Sequence, residues 1–433
     1  MKIEKKLWIT LFVFGLFAIG FSGWIFSQST AREKLLWDNT IRFETKKLTD
    51  GEIKSENIAL PEDFDDPRSI LFKTTHTIAE VWLDGEKIYE YGNEEDAPSF
   101  MKSPGSCWHI VNIPEDSAGK SLEVRIIPVY DNYYGNEVSI VYGTRGNCVL
   151  KILMDSFKTL LLSCGILFAS IICLLLYLGA VRRKRRDKTE TKIEVFLNLG
   201  FFSLLIAVWT LAQCGFLQFL IPDGRTLYFV DYFSFFLFPV PFNFLLYDIC
   251  KSRYHKGALI FPILYLANMA ADVLLQCTGI IDIFRLLPAT HVIMVANAVY
   301  TVALILYEAR KEGNDEAKKF QYPMCVLIVF GMVEMFLYYL RKFQQTSILL
   351  PIGTLLFIIM LIWIQVSQYY DQYIQKQKVI YLQKIANMDM LTEAMNRNAY
   401  EDMVKYLEES DIKLRTTGVV LFDLDNLKVI NDN

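Results

Sequence analysis

The sequence predicts a multi-domain membrane protein: an α-helical bundle of one anchor helix plus seven transmembrane helices, an all-β sandwich ectodomain, and a short α+β segment at the C-terminus. Three observations predict it. The apolar residues, 53% of the chain, are gathered into long blocks that carry almost no charge. Between the first block and the others, short alternating runs are separated by turn signals over about 120 residues. Basic residues recur in every second loop between the blocks. The net charge of -4 averages over segments on two sides of a bilayer, so it excludes no class of partner.

Lys2, Lys5 and Lys6 precede an apolar run over 7–26. A helix rises about 1.5 Å per residue, so roughly 20 apolar residues cross a hydrocarbon core about 30 Å thick. The run exceeds the core of a cleaved signal peptide, which makes residues 1–28 a cytoplasmic tail and signal-anchor helix. A cleaved signal peptide is the alternative, and either one exports the β-rich segment after it.

Residues 29–150 read as the exported β sandwich. Strands are expected over 69–75, 78–83, 87–91, 108–113, 122–129 and 137–142. Asp84-Gly85 between the second and third predicts a two-residue hairpin turn, because both residues tolerate positive φ. Cys107 and Cys148 fall in this exported part, where a disulfide survives. Sequence does not show that the two approach, so bridged and free forms both stay open. Cys164, Cys173, Cys214, Cys250, Cys277 and Cys325 lie in or beside apolar blocks and act as small hydrophobes. No CxxC pair or His cluster suggests a metal site of that kind.

Residues 151–366 hold seven more blocks, near 160–181, 195–217, 229–249, 258–277, 287–307, 322–340 and 348–366. With the β part outside, the loops after the first, third and fifth blocks are cytoplasmic. These carry Arg182-Arg183-Lys184-Arg185-Arg186 with Lys188 and Lys192, then Lys251, Arg253 and Lys256, then Arg310, Lys311, Lys318 and Lys319. The opposing loops hold only Arg225, Arg285, Arg341 and Lys342, so the charge bias agrees with the anchor and puts the C-terminus in the cytoplasm. Pro239 and Pro241 are expected to kink the third block. Asp272, Glu334 and His291 are ionisable groups in apolar helices, which either line a ligand cavity or bond helix to helix.

Residues 367–388 continue as a polar helix without Gly or Pro. Val366, Tyr373 and Ile380 repeat at heptad spacing, while Lys376 and Gln383 break the second seam that Tyr369 begins. A short dimeric stalk driven by flanking domains and a plain juxtamembrane helix both fit.

The chemistry lies in residues 389–433. Asp389-Met390-Leu391-Thr392 leads through Asn396-Arg397 into a helix, and 418–422 reads as a buried strand closing on Asp423-Leu424-Asp425. A carboxylate at a strand end is a rigid mount for a hard divalent cation, and Mg²⁺ commonly bridges such oxygens to substrate phosphates. Alone, Asp-x-Asp after a strand is more often a cap or turn. Together, DMLTEAMNR and LFDLDNLKVINDN resemble the first part of the GGDEF family of diguanylate cyclases.

That resemblance implies a truncated α+β, palm-like cytoplasmic domain. It implies Mg²⁺ held by Asp423 and the backbone carbonyl of Leu424, guanine recognised by Asn431, and Lys428 near the triphosphate, with Asp425 structural. It implies two GTP joined into cyclic di-GMP between two facing domains. Glu393 and Ala394 stand where the family has Gly-Leu, and Leu427 where it has Phe. The GG(D/E)EF turn does not occur within the 433 residues, so no complete catalytic set is expected here. The upstream parts resemble bacterial inner-membrane receptors with seven transmembrane helices and an exported jelly-roll domain. Trp82, Tyr89, Tyr91, Trp108 and His109 then either stack on a carbohydrate or other small ligand, or pack in the core.

Two other outputs fit the same architecture: a degenerate module that only binds GTP or a partner protein, and a transporter, disfavoured by few buried charges and no repeated halves. A sensor kinase lacks a His in the stalk. No nucleic-acid partner is expected.

Overall fold

The computed structural model describes residues 40–44, 55–59, 68–93, 98–133, 137–187, 194–340, 348–389, 392, 394–409 and 420. The expected anchor helix over 1–28 lies outside them. The chain forms two compact units, Met1–Leu361 and Ile362–Asn433.

Among the described residues, the first unit holds eight strands: β1 (Thr40–Glu44), β2 (Ser55–Ala59), β3 (Arg68–Thr75), β4 (Thr77–Leu83), β5 (Glu86–Tyr91), β6 (Ser106–Asn112), β7 (Ser121–Pro128) and β8 (Glu137–Thr144). They form two antiparallel sheets ordered β1-β8-β3-β6 and β2-β7-β4-β5. Ile70, Phe72, Val111 and Ile140 of one sheet share a core with Val81, Leu122, Val124 and Ile126 of the other. Alternation puts these residues on the inward faces. Leu71 points the opposite way and is equally buried, because Cys148 and Ile152 of the first helix cover that face. This explains why β3 reads as a continuous apolar run rather than an alternating one.

Asp84 and Gly85 have φ of 47° and 87°, the paired positive values that the hairpin required. The six expected strands are all present within a residue or two of their ends. β1 and β2 were not expected. Both are short and rich in polar residues, and each pairs with a late strand, β8 or β7.

Eight helices come next: α1 (Arg145–Asp187), α2 (Glu194–Ala212), α3 (Gly224–Leu237), α4 (Pro239–Ile249), α5 (Ile260–Cys277), α6 (Ile283–Arg310), α7 (Asp315–Leu340) and α8 (Leu349–Asn387). Among the described residues, seven helical segments are long and apolar enough to cross a membrane: Arg145–Arg182, Glu194–Ala212, Gly224–Ile249, Arg253–Cys277, Ile283–Arg310, Asp315–Leu340 and Leu349–Asn387. They coincide with the seven apolar blocks. The third segment is interrupted at Phe238, where Pro239 starts α4 without a backbone N–H, as the prolines required.

Close packing relies on small residues. A Cβ on Gly200 of α2 would stand 2.7 Å from Leu174 of α1, and Ser170 Oγ donates to Gly200 O at 2.8 Å. At one end of the bundle, Glu308 accepts from the backbone N–H of Lys251 (2.9 Å) and Ser252 (2.6 Å) and from Asn314 Nδ2 (2.9 Å). This carboxylate ties together two of the basic loops.

In the second unit, α8 runs on to Asn387, and a tight turn leads into α9 (Arg397–Glu409). Val366, Tyr373 and Ile380 are exposed along α8.

Candidate functional site

The β sheets sit on the other end of the bundle. β8 passes into α1 with no intervening residue, Thr144 to Arg145. β6 is a sheet edge, and Gln218 satisfies it: Trp108 N–H donates to Gln218 Oε1 and Gln218 Nε2 donates to Trp108 O, both at 2.7 Å. Gly105, at φ 83°, lets the loop before β6 approach α3 so closely that a Cβ there would lie 2.2 Å from Gly224 O. Gln276 donates to Phe100 O at 2.5 Å and to Asp282 Oδ1 at 2.9 Å, and the Tyr130 hydroxyl donates to Asp282. Met101, Tyr130 and Tyr133 from the β region share a core with Tyr228, Tyr232, Ile283 and Phe284 from the helices.

Two adjoining cavities open at this junction. One, of about 140 Å³, lies between sheet and helix ends and is lined by Lys73, His76, Trp108 and Gln218 among others. The second, of about 210 Å³, lies among helices α2 to α8, lined by Trp209, Phe235, Phe238, Phe242 and Tyr265 among others. Gln213, Asp231, Tyr232 and Tyr338 line both, so the cavities share a wall. Gln213 Nε2 donates to Asp231 Oδ1 at 3.2 Å.

The electrostatics are lopsided. Lys73 stands 5.8 Å over the Trp108 ring, and burial makes its ammonium easier to deprotonate than usual. His76, with φ of 51°, bonds Ser103 Oγ through Nδ1 at 2.6 Å amid Tyr130, Tyr133, Tyr228 and Phe284. Burial drops its pKa to about 3, so the ring is neutral at physiological pH.

Of the ionisable residues read from the helices, His291 and Glu334 line the deeper cavity. Glu334 also accepts from the amide of Ile348 (3.2 Å), just before α8, and from the first two amides of α8, Leu349 (2.5 Å) and Leu350 (3.2 Å). Asp272 bonds within its own helix instead, accepting from Asn268 Nδ2 of α5 (2.7 Å), and it is Asn268 that crosses to Thr290 Oγ1 of α6 (2.9 Å). The aromatic set divides as well. Tyr89 Oη bonds His109 Nδ1 at 2.8 Å, Thr74 Oγ1 bonds its Nε2 at 2.6 Å, and Tyr91 donates to Pro104 O at 2.9 Å, so these three rings are internal fittings. Trp108 is a docking residue. Trp82 lies on the outer sheet face beneath Arg125, 4.6 Å from its ring. Cys107 and Cys148 are separate buried thiols rather than a disulfide. Cys148 Sγ points at Ser69 O, 3.9 Å away, while burial holds the Cys107 thiol pKa up at about 11.

Lys73, Gln213, Gln218 and Asp231 were missed from sequence. Asp231 carried a legible signal, a carboxylate inside an apolar block. Gln218 carried none, since its partner is 110 residues away.

The predicted nucleotide-site residues Asp423, Leu424, Lys428 and Asn431 lie outside the described residues. The motif before them is described in part. Asp389 Oδ1 accepts from Thr392 N–H and Thr392 Oγ1, both at 2.9 Å. Asn396 caps α9 by accepting from Ala399 N–H at 3.1 Å, and its Nδ2 donates to Ala386 O at 2.8 Å. The Asp, Thr and Asn of that motif thus build the bend between α8 and α9. No family model and no curated protein matches this chain.

Proposed function

We propose that this chain is the membrane sensor of a bacterial diguanylate cyclase, the activity that makes cyclic di-GMP from two GTP. The observation that carries it is the pairing of DMLTEAMNR with LFDLDNLKVINDN at family spacing. The Asp389–Thr392 turn and the Asn396 cap give the first motif a physical reason for its residue types.

Several features support the receptor half. The strand order 1-8-3-6 and 2-7-4-5 is the winding of a jelly roll. The β sheets and the Lys251 and Glu308 knot stand at opposite ends of the bundle, as an exported β domain and cytoplasmic basic loops require. α8 is one uninterrupted helix from Leu349 to Asn387, a route by which a shift in bundle packing reaches the cyclase motif. The exposed Val366, Tyr373 and Ile380 suit pairing with a second copy, so that two cyclase domains meet.

Asp423 and the Leu424 carbonyl are hard oxygen donors of the kind Mg²⁺ prefers. When bound, magnesium neutralises triphosphate charge. By the same resemblance, Asn431 would select guanine and Lys428 would neutralise phosphate charge. In the intact gene product, Asp423→Ala abolishes cyclic di-GMP formation from Mg·GTP and leaves membrane insertion unchanged; undiminished product from that variant refutes the metal assignment. Glu393, Ala394 and Leu427 depart from the family pattern and favour a second reading, a module that binds GTP or a partner without turnover. Retained GTP binding with no product in the intact protein selects it.

A further inference from the structure

Lys73 is the feature that neither the fold nor the nucleotide chemistry uses. It lies on β3 opposite Trp108, with Leu71 and Thr75 on the same outward face. Helix covers part of that face, over Leu71, and Lys73 itself is half-buried on the wall of the cavity. Among the described residues, no carboxylate pairs with it. Asp155 of α1 is the nearest acid to influence it, and Asp155 is held by Lys151 at 2.9 Å. A half-buried cation on a cavity wall, without an ion-pair partner, is stabilised by any anion that enters beside it.

The rest of the lining says what that anion carries. Around Lys73 the upper cavity offers neutral hydrogen-bonding groups, Thr75, Ser106 and Gln213. Its shared wall carries Asp231, and the chamber beyond is aromatic with Glu334 on its surface. A second negative charge on the ligand would meet those carboxylates, whereas an apolar tail would meet Phe235, Phe238 and Trp209.

We propose that the paired cavities bind a small organic monocarboxylate, its carboxylate on Lys73 and its apolar tail in the aromatic chamber past Asp231. This deepens the receptor reading and rests on it. Binding at the seam between sheet and bundle would alter how Trp108 and Gln218 hold the two together, which is the step a receptor needs.

The test is calorimetry on the full chain in lipid nanodiscs, with hexanoate and phenylacetate against hexanamide and adipate. Both monocarboxylates bind, and the amide and the dicarboxylate bind about tenfold more weakly or less. Lys73→Met weakens hexanoate by about tenfold or more, while Lys73→Arg keeps it within about threefold. Equal binding of hexanamide, tighter binding of adipate or of a free amino acid, or no heat from either monocarboxylate overturns the proposal. Should Lys73→Met not fold, the acid and amide comparison on the unaltered chain decides alone. Because binding is read directly, silence here with intact cyclic di-GMP turnover sinks only the ligand, and binding without turnover sinks only the output.

Discussion

Gln218 pairs with the backbone of Trp108 through both ends of its amide, 2.7 Å each way, so a residue of the helical region completes the open edge of a β sheet. Edge strands expose unpaired N–H and C=O groups, and Gln218 satisfies both of those at Trp108. Gln218→Ala leaves both groups without their partner and destabilises the junction by about 2 kcal/mol. Hydrogen exchange checks it: the Trp108 amide exchanges faster in the variant, while Val81 and Val124 in the sandwich core keep their protection. Unchanged exchange at Trp108 removes Gln218 from the docking account.

Gly105 and Gly85 form a matched pair for separating backbone strain from contact. Their φ values are 83° and 87°, but a Cβ on Gly85 meets nothing within 4 Å while one on Gly105 meets Gly224 O at 2.2 Å. Gly85→Ala should cost about 1 kcal/mol, the conformational penalty alone. Gly105→Ala should cost several times that or prevent assembly, because backbone stands on both sides of the clash. Thermal unfolding of the two variants in detergent measures the difference. Equal losses contradict the close approach of β region and α3.

Acid weakens the β region. His76 and His109 have ordinary pKa values of 6.5, and burial drops both to about 3 in the fold. Their neighbours, Tyr130, Tyr133, Tyr228 and Ser103 for His76, and Thr74, Tyr89 and Tyr91 for His109, supply no compensating negative charge at neutral pH. Between these values the unfolded chain binds more protons than the folded one, so stability rises with pH across the window. The contribution is complete above about pH 6.5 and falls away toward pH 3, by up to about 1.4 kcal/mol per pH unit for each histidine. Denaturation followed at Trp108 from pH 7 to 4 reads this slope, and His109→Gln should flatten it. A pH-independent midpoint contradicts the burial of both rings as neutral groups.

Local chemistry was legible in the sequence, and long-range partnership was not. Asp84-Gly85 announced its turn because the φ requirement lies within two residues, and Pro239 announced the break after Phe238 because its missing N–H acts on its own helix. The seven spans were visible because a bilayer imposes its thickness on each segment separately. Lys73 read as one polar residue in a strand, and only the packing of helices against the sheet places it on a cavity wall. β1 and β2 owe their pairing to β8 and β7, far along the chain, and little to their own composition. The open question over Cys107 and Cys148 depended on packing as well, and the structure keeps them as two separate thiols. The roles of Asp423 and Asn431 rest on their motif alone.

The proposed topology exports the β sheets and keeps α9 on the side that holds GTP. Trypsin applied to right-side-out spheroplasts tests this directly. Lys87 and Lys102 are exposed in the β region, and Lys405 is exposed on α9. Cleavage at Lys87 and Lys102 with Lys405 protected, and the reverse in inside-out vesicles, is the predicted result. Cleavage at Lys405 in intact spheroplasts contradicts the account outright.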